Sequence, residues 1–206
     1  MDHFNRGLEK SIGQFDVPHN FKIGTVYELP FGKGKRFLTD SGAANWIVGG
    51  WRISGNAFYS SGLPMGLGTT NSMPLFSGGN RPIISTYDGW RAPTQGNSFD
   101  PFVDRFVQPA SFFPAQPANT FGNQTRYNPK LRQFGNYNEN ISISKTFPIK
   151  EQIRLDLRAE AFNAFNRVRF GTGSLQLQSN QLGQLTGAGD LLNSPRSMQV
   201  ALKLYF

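Results

Sequence analysis

Between residues 152 and 165 the side chains alternate without a break. Ile153, Leu155, Leu157, Ala159 and Ala161 occupy every second position, and Arg154, Asp156, Arg158 and Glu160 stand between them. Period two belongs to a strand with two unlike faces. Leu, Arg, Ala and Glu are also good helix formers. A helix, however, would scatter these apolar positions around its circumference instead of gathering them in a stripe. The alternation predicts a strand, and one whose charged face must meet water or polar partners.

Four other segments carry the same period. In 20–29, Phe21, Ile23, Thr25, Tyr27 and Leu29 oppose Lys22, Gly24, Val26 and Glu28, and Pro30 with the PFGKGK stretch ends the run. In 46–60, Ile47, Trp51, Ile53, Ala57 and Tyr59 oppose Arg52, Ser54, Asn56 and Ser60. In 138–147, Ile141, Ile143 and Phe147 alternate with Asn140, Ser142, Ser144 and Thr146. Lys145 interrupts that apolar row near its end, where its stem is expected to snorkel to an interface. In 197–206, Met198, Val200, Leu202, Leu204 and Phe206 oppose Ser197, Gln199, Ala201, Lys203 and Tyr205.

The links between these strands are unequal. FPIKEQ joins the third to the fourth as a short turn, whereas 61–135 and 166–196 are long. Nine of the 13 prolines fall in 61–135 among Gly, Asn, Ser and Gln, and periodicity is lost there. A link of that length marks a functional loop. Asp100 followed by Pro101 predicts one short helix through Val103 to Phe106. Short turns alternating with long loops are the habit of outer-membrane barrels, whose long loops are extracellular. The 16-residue link between the first two strands fits that alternation least well and falls on the periplasmic side.

Composition narrows the class further. No apolar run is long enough for a transmembrane helix. Mean hydropathy is −0.40, which barrel strands also produce because their two faces average out. With no cysteine, disulfides, thiolate nucleophiles and cysteine-ligated metals are excluded. The net charge of +8 is scattered, apart from Lys33, Lys35 and Arg36, and no nucleic-acid module accompanies it. The first 15 residues hold no basic stretch followed by an apolar one, so no secretory leader is read there.

No catalytic, metal-binding or cofactor-binding constellation is expected. The histidines are His3 and His19, and HExxH and GxSxG are absent. GKGK lacks the spacing of a phosphate loop and reads as a solvated turn. On one strand Asp156 and Glu160 stand roughly 13 Å apart, too far for the usual glycosidase carboxylates. Arg154, Asp156, Arg158 and Glu160 form a charge ladder instead. An Arg at mid-depth on the lipid side of a barrel costs about 2–4 kcal/mol, so the ladder is expected to face an aqueous lumen and Leu155 and Leu157 to face lipid.

FDVPHN (15–20), YELPFGKGKRFL (27–38), GGWRISG (49–55), RLDLRAEAFNAFNRVRFG (154–171) and PRSMQVALKLYF (195–206) together resemble the C-terminal barrel region of TonB-dependent receptors. Within these the chain is similar to the Oar-like group, which carries a carboxypeptidase-regulatory-like domain. The resemblance implies a 22-stranded barrel with an N-terminal plug, driven through TonB, in the bacterial outer membrane. This chain is then a C-terminal fragment: 1–17 a remnant of a preceding loop, 18–206 the last five strands as an open meander, and 61–135 an extracellular loop. Outer-membrane lipid, the rest of the barrel, plug, TonB and the barrel-assembly machinery are the implied partners. The terminal Phe206, on the row of Val200, Leu202 and Leu204, resembles the signal that this machinery reads. The rival readings are a secreted β-sandwich that stacks Trp90, Phe112 and Phe113 on sugars, and a small self-contained pore. Five strands argue against the pore, because closed bacterial barrels start at eight.

Overall fold

The computed structural model describes residues 5–37, 43–71, 73, 79–150, 152–186 and 191–206, with only the backbone of Ala44. His3 lies outside the described residues. The chain divides into two compact bodies, one made of residues 20–59, 137–168 and 194–206 and the other of 1–19, 60–136 and 169–193.

The first body is a five-stranded sheet. Its strands are β1 (Asn20–Glu28), β2 (Trp51–Ser60), β5 (Asn136–Pro148), β6 (Arg154–Phe162) and β7 (Ser197–Tyr205), side by side in that order. Two short strands, β3 (Pro64–Met65) and β4 (Asn128–Arg132), belong to the second body. The sheet is antiparallel: Ile143 faces Ala159 and Phe147 faces Leu155 across β5/β6, while Leu155 faces Leu204 and Ala161 faces Met198 across β6/β7. Leu29 N donates to Trp51 O (3.0 Å) and Thr146 N to Gly50 O (3.2 Å), which sets β1 and β5 antiparallel on either side of β2. The sheet stays open, with β1 and β7 each bordered on one side only. Five strands at barrel tilt cannot close on themselves.

The strand at 152–165 forms, but it ends at Phe162. Asn163 sits at φ +49 and Asn166 at φ +50, a left-handed region that Asn tolerates and a ladder does not. Asn163 is 3% exposed. Its Nδ2 donates to Arg167 O (2.9 Å) and Ser194 O (3.1 Å), and its Oδ1 accepts from Arg167 N (2.9 Å). This one side chain turns the chain out of the sheet.

The strand expected from residue 46 begins only at Trp51, because Ala43–Val48 forms a short helix, α1. Gly49 N donates to Asn45 O (2.8 Å) and closes its last turn. Gly50, at φ +73, ends it in the left-handed conformation favoured just past a helix terminus. A Cβ at Gly50 would meet Thr146 O at 2.7 Å, so the glycine also permits β2 and β5 to approach.

The second body holds the apolar cluster of Met65, Leu67, Ile84, Trp90, Phe106, Val107, Phe113, Leu131, Leu177 and Leu182. With so little regular ladder, buried backbone groups must find other partners, and Asn and Gln side chains supply them. Gln124 Nε2 donates to Leu67 O (3.0 Å) and Asn128 Nδ2 to Tyr87 O (2.9 Å). Asn123 gives Nδ2 to Ile84 O and takes Ile84 N on its Oδ1. The polar amides that erased the periodicity are thus the residues that hold this body together.

The helix expected at 103–106 is not formed. Asp100 does cap a turn, its Oδ1 accepting Phe102 N (2.9 Å) and its carbonyl accepting Asp104 N (2.7 Å). The chain then leaves, because Phe106 N donates to Gly183 O (2.7 Å) and Phe106 and Val107 are fully buried. Sugar stacking by Trp90 and Phe113 is also ruled out. They are 2% and 7% exposed, Trp90 Nε1 donates to Thr86 O (2.7 Å), and the two rings meet edge to face at 5.4 Å.

Candidate functional site

The five-stranded sheet has one charged and one apolar face. On the charged face, Arg154 Nε lies 3.9 Å from Asp156 Oδ2 and Arg158 lies 2.5 Å from Glu160 Oε1. Arg154 also rests over the Tyr205 ring at 4.3 Å, and Gln199 donates to Glu160. The register places Ser142, Ser144 and Thr146 of β5 opposite Glu160, Arg158 and Asp156. Gln199, Ala201 and Lys203 of β7 face the same three from the other side. Ser54 and Ser142 share a hydrogen bond (2.7 Å), and Arg52 pairs with Glu28 (2.9 Å), extending the polar row across β2 to β1. A depression of about 330 Å³ opens on this face, lined by Ser54, Asn56, Asn140, Ser142, Arg158 and Glu160. The structure therefore brings all four ladder residues onto one face.

The opposite face carries Phe21, Ile23 and Tyr27 of β1, Ile53 of β2, Ile141 and Ile143 of β5, and Met198, Val200, Leu202 and Leu204 of β7. All of these are exposed, the β7 four by 53–73%. A contiguous apolar surface of this size on a protein in water marks a contact with something apolar. Val200, Leu202 and Leu204 lie on it, while Phe206 follows the last ladder residue and is 97% exposed.

Two buried charges bound this apolar band, and alternation alone had placed neither in its setting. Near the long-loop end, Glu139 is 4% exposed; Tyr59 OH donates to it (2.7 Å) and Arg167 Nε reaches both carboxylate oxygens (2.8 and 2.9 Å). Near the short-turn end, Lys145 is 2% exposed. It does not snorkel. Its Nζ donates to Ile47 O (2.5 Å) and Gly49 O (2.8 Å), and it sits over the rings of Trp51 and Phe147 at 4.9 and 4.8 Å. The carbonyls at the end of α1 come to the cation instead, as suits the negative end of a helix. Lys145's break in the apolar row was legible, but the helix covering it was hidden in a segment that alternates like a strand.

Glu139 and Lys145 stand six residue steps apart along β5, about 20 Å of uncharged surface. Aromatic side chains gather at both limits. At the loop end Phe21 stacks on Tyr59 with centroids at 6.3 Å and Tyr137 meets Tyr59 at a tilt at 5.8 Å, and Trp46 meets Phe147 at 5.0 Å at the turn end. An apolar band about 25 Å tall between two aromatic girdles, backed by a polar face, is the cross-section of a transmembrane barrel wall.

The class is thus an antiparallel β-barrel that crosses a membrane, of which this sheet is part of the wall. The family model for the outer membrane beta barrel domain matches residues 1–199, and the chain belongs to that family. It is accordingly an outer-membrane β-barrel protein in contact with outer-membrane lipid. No curated protein and no solved structure matches it.

Proposed function

We propose that this wall belongs to a TonB-dependent receptor of the Oar-like kind and forms part of a ligand-uptake channel. The observation that carries the reading is the charge ladder Arg154–Asp156–Arg158–Glu160, set on the face opposite the exposed apolar band. Four charges spaced along one strand suit a wide lumen filled by water or a folded plug better than a tightly packed small barrel. The five motif segments quoted above, in their order, support the same family.

On this reading 18–206 resembles wall from the C-terminal part of such a barrel, and 1–17 belongs to a loop before it. The 149–153 turn is periplasmic, the 61–135 segment is extracellular, and TonB acts through an N-terminal plug. The role is structural and transport-related, not enzymatic. In a full-length parent, an epitope inserted near Asn97 is expected to be reached by antibody on intact cells, and periplasmic-only access would reverse the topology. Genomic sequence read upstream in frame is expected to encode further strands, a plug and a TonB-contacting segment. A different kind of domain there would refute the receptor reading.

A further inference from the structure

At the short-turn end of the wall, two elements leave a cavity of about 550 Å³ between them. Its lining includes Phe31, Lys33, Lys35, Asn45, Trp46 and Pro148. One side is the 29–37 turn, pinned by Gly32 N to Phe37 O (2.9 Å) and Phe37 N to Pro30 O (3.0 Å). The other is α1, held against the apolar face by Lys145 and by Trp46 on Phe147. Lys33 N donates to Asn45 Oδ1 (3.2 Å), which ties the two sides together and leaves the Asn45 NH₂ as a donor.

Charge and apolarity meet here in an ordered way. Among the described residues of this rim, Lys33, Lys35, Arg36 and Arg52 stand against one carboxylate, Glu28. Glu28 is already shared by Lys35 (2.6 Å) and Arg52 (2.9 Å), and neither Lys33 nor Arg36 has a carboxylate partner among the described residues. Directly beside these cations α1 turns out Trp46 and Ile47, 62% and 63% exposed. The apolar band and its aromatic girdle place this rim at the boundary between acyl chains and head groups. A soluble anion would have no use for exposed Trp and Ile beside the cations. A lipid that joins a phosphate to acyl chains uses both.

We propose that the cavity between the 29–37 turn and α1 binds the head-group phosphate of an anionic glycerophospholipid. Lys33 and Lys35 neutralise the phosphate, the Asn45 NH₂ donates to it, and Trp46 with Phe31 packs against the glycerol and first acyl carbons. Arg36 adds long-range attraction.

The test uses the parent barrel that contains this chain, in mixed vesicles, with tryptophan quenching by acyl-brominated phosphatidylglycerol or phosphatidylcholine. The contribution of Trp46 is isolated by subtracting a Trp46→Phe control. Wild type should favour phosphatidylglycerol by roughly five- to tenfold at low salt, decreasing as salt is added. Lys33→Gln with Lys35→Gln should bring the ratio near one, Lys33→Glu should take it below one, and Lys33→Arg should keep it. Heat-modifiable migration on gels checks that each variant is folded. A wild-type ratio of one, or a ratio unchanged in the folded double variant, overturns the proposal. So does relief of quenching by millimolar inorganic phosphate, which would mean a free-anion site.

Discussion

Replacing Lys145 with Met should detach α1 while leaving the wall in place. The ammonium makes two charge-assisted hydrogen bonds, to Ile47 O and Gly49 O, and lies between the rings of Trp51 and Phe147. Losing the donor orphans carbonyls at a helix end, at about 1–3 kcal/mol where they stay buried. The two ring contacts add about 0.5–2 kcal/mol. Against this stands the desolvation of the ammonium, which Met does not suffer and which offsets part of the loss. The net is a destabilisation on the order of 1–3 kcal/mol, concentrated in 43–50. That exceeds what a six-residue helix can supply by itself, since helices shorter than about 12 residues are marginal in water. Hydrogen exchange should show Gly49 N, bonded to Asn45 O, losing protection, with a change in Trp46 emission, while β6 and β7 keep theirs. Unchanged protection at Gly49 would refute the idea that this cation holds the helix. Loss of protection throughout the sheet would mean that Lys145 supports the wall itself.

Leu202→Arg, on the apolar face, should cost about 2–4 kcal/mol of unfolding free energy in vesicles, whereas Ala201→Arg on the charged face should cost little; equal costs would contradict the assignment of the faces. In the full-length parent, deleting Phe206 or replacing it with Asp should sharply lower the outer-membrane level of the barrel, as read by fractionation and heat-modifiability; wild-type levels of inserted barrel would overturn the assembly-signal reading. Asn163→Ala places a non-glycine, non-asparagine residue at φ +49 and leaves the turn's backbone groups without their side-chain partner, so it should destabilise by about 2–4 kcal/mol, with faster proteolysis of 163–196; a neutral result would show that the turn is held elsewhere. Arg81 binds both oxygens of Glu9 (2.6 and 2.7 Å) and holds its carboxyl below the ordinary carboxylate value. A depressed acid stabilises fully above its unfolded value and loses that contribution as pH falls through the folded one. Cleavage near Lys10 should therefore rise only in that acid window and be independent of pH above it.

Alternation in 154–162 and 197–205 was enough to mark two strands and the polar and apolar row of each, because a strand's two environments are written at every second residue. The ladder of Arg154 to Glu160 and the apolar row of Met198 to Leu204 needed nothing more. The polar, proline-rich stretch from 61 to 135 concealed its order for the opposite reason. Its apolar residues are drawn together by side-chain amides bonding distant backbone groups, a pattern with no period in sequence. Trp90 and Phe113 therefore looked like exposed loop aromatics and turned out to be core. At 46–50, Trp46, Ile47 and Val48 have strand-like chemistry. The choice of a helix rested on Gly50's left-handed backbone and on a lysine 95 positions further along the chain. Local periodicity records which solvent each face meets; where a residue's partner is a backbone carbonyl far away in sequence, only the folded chain brings the two together.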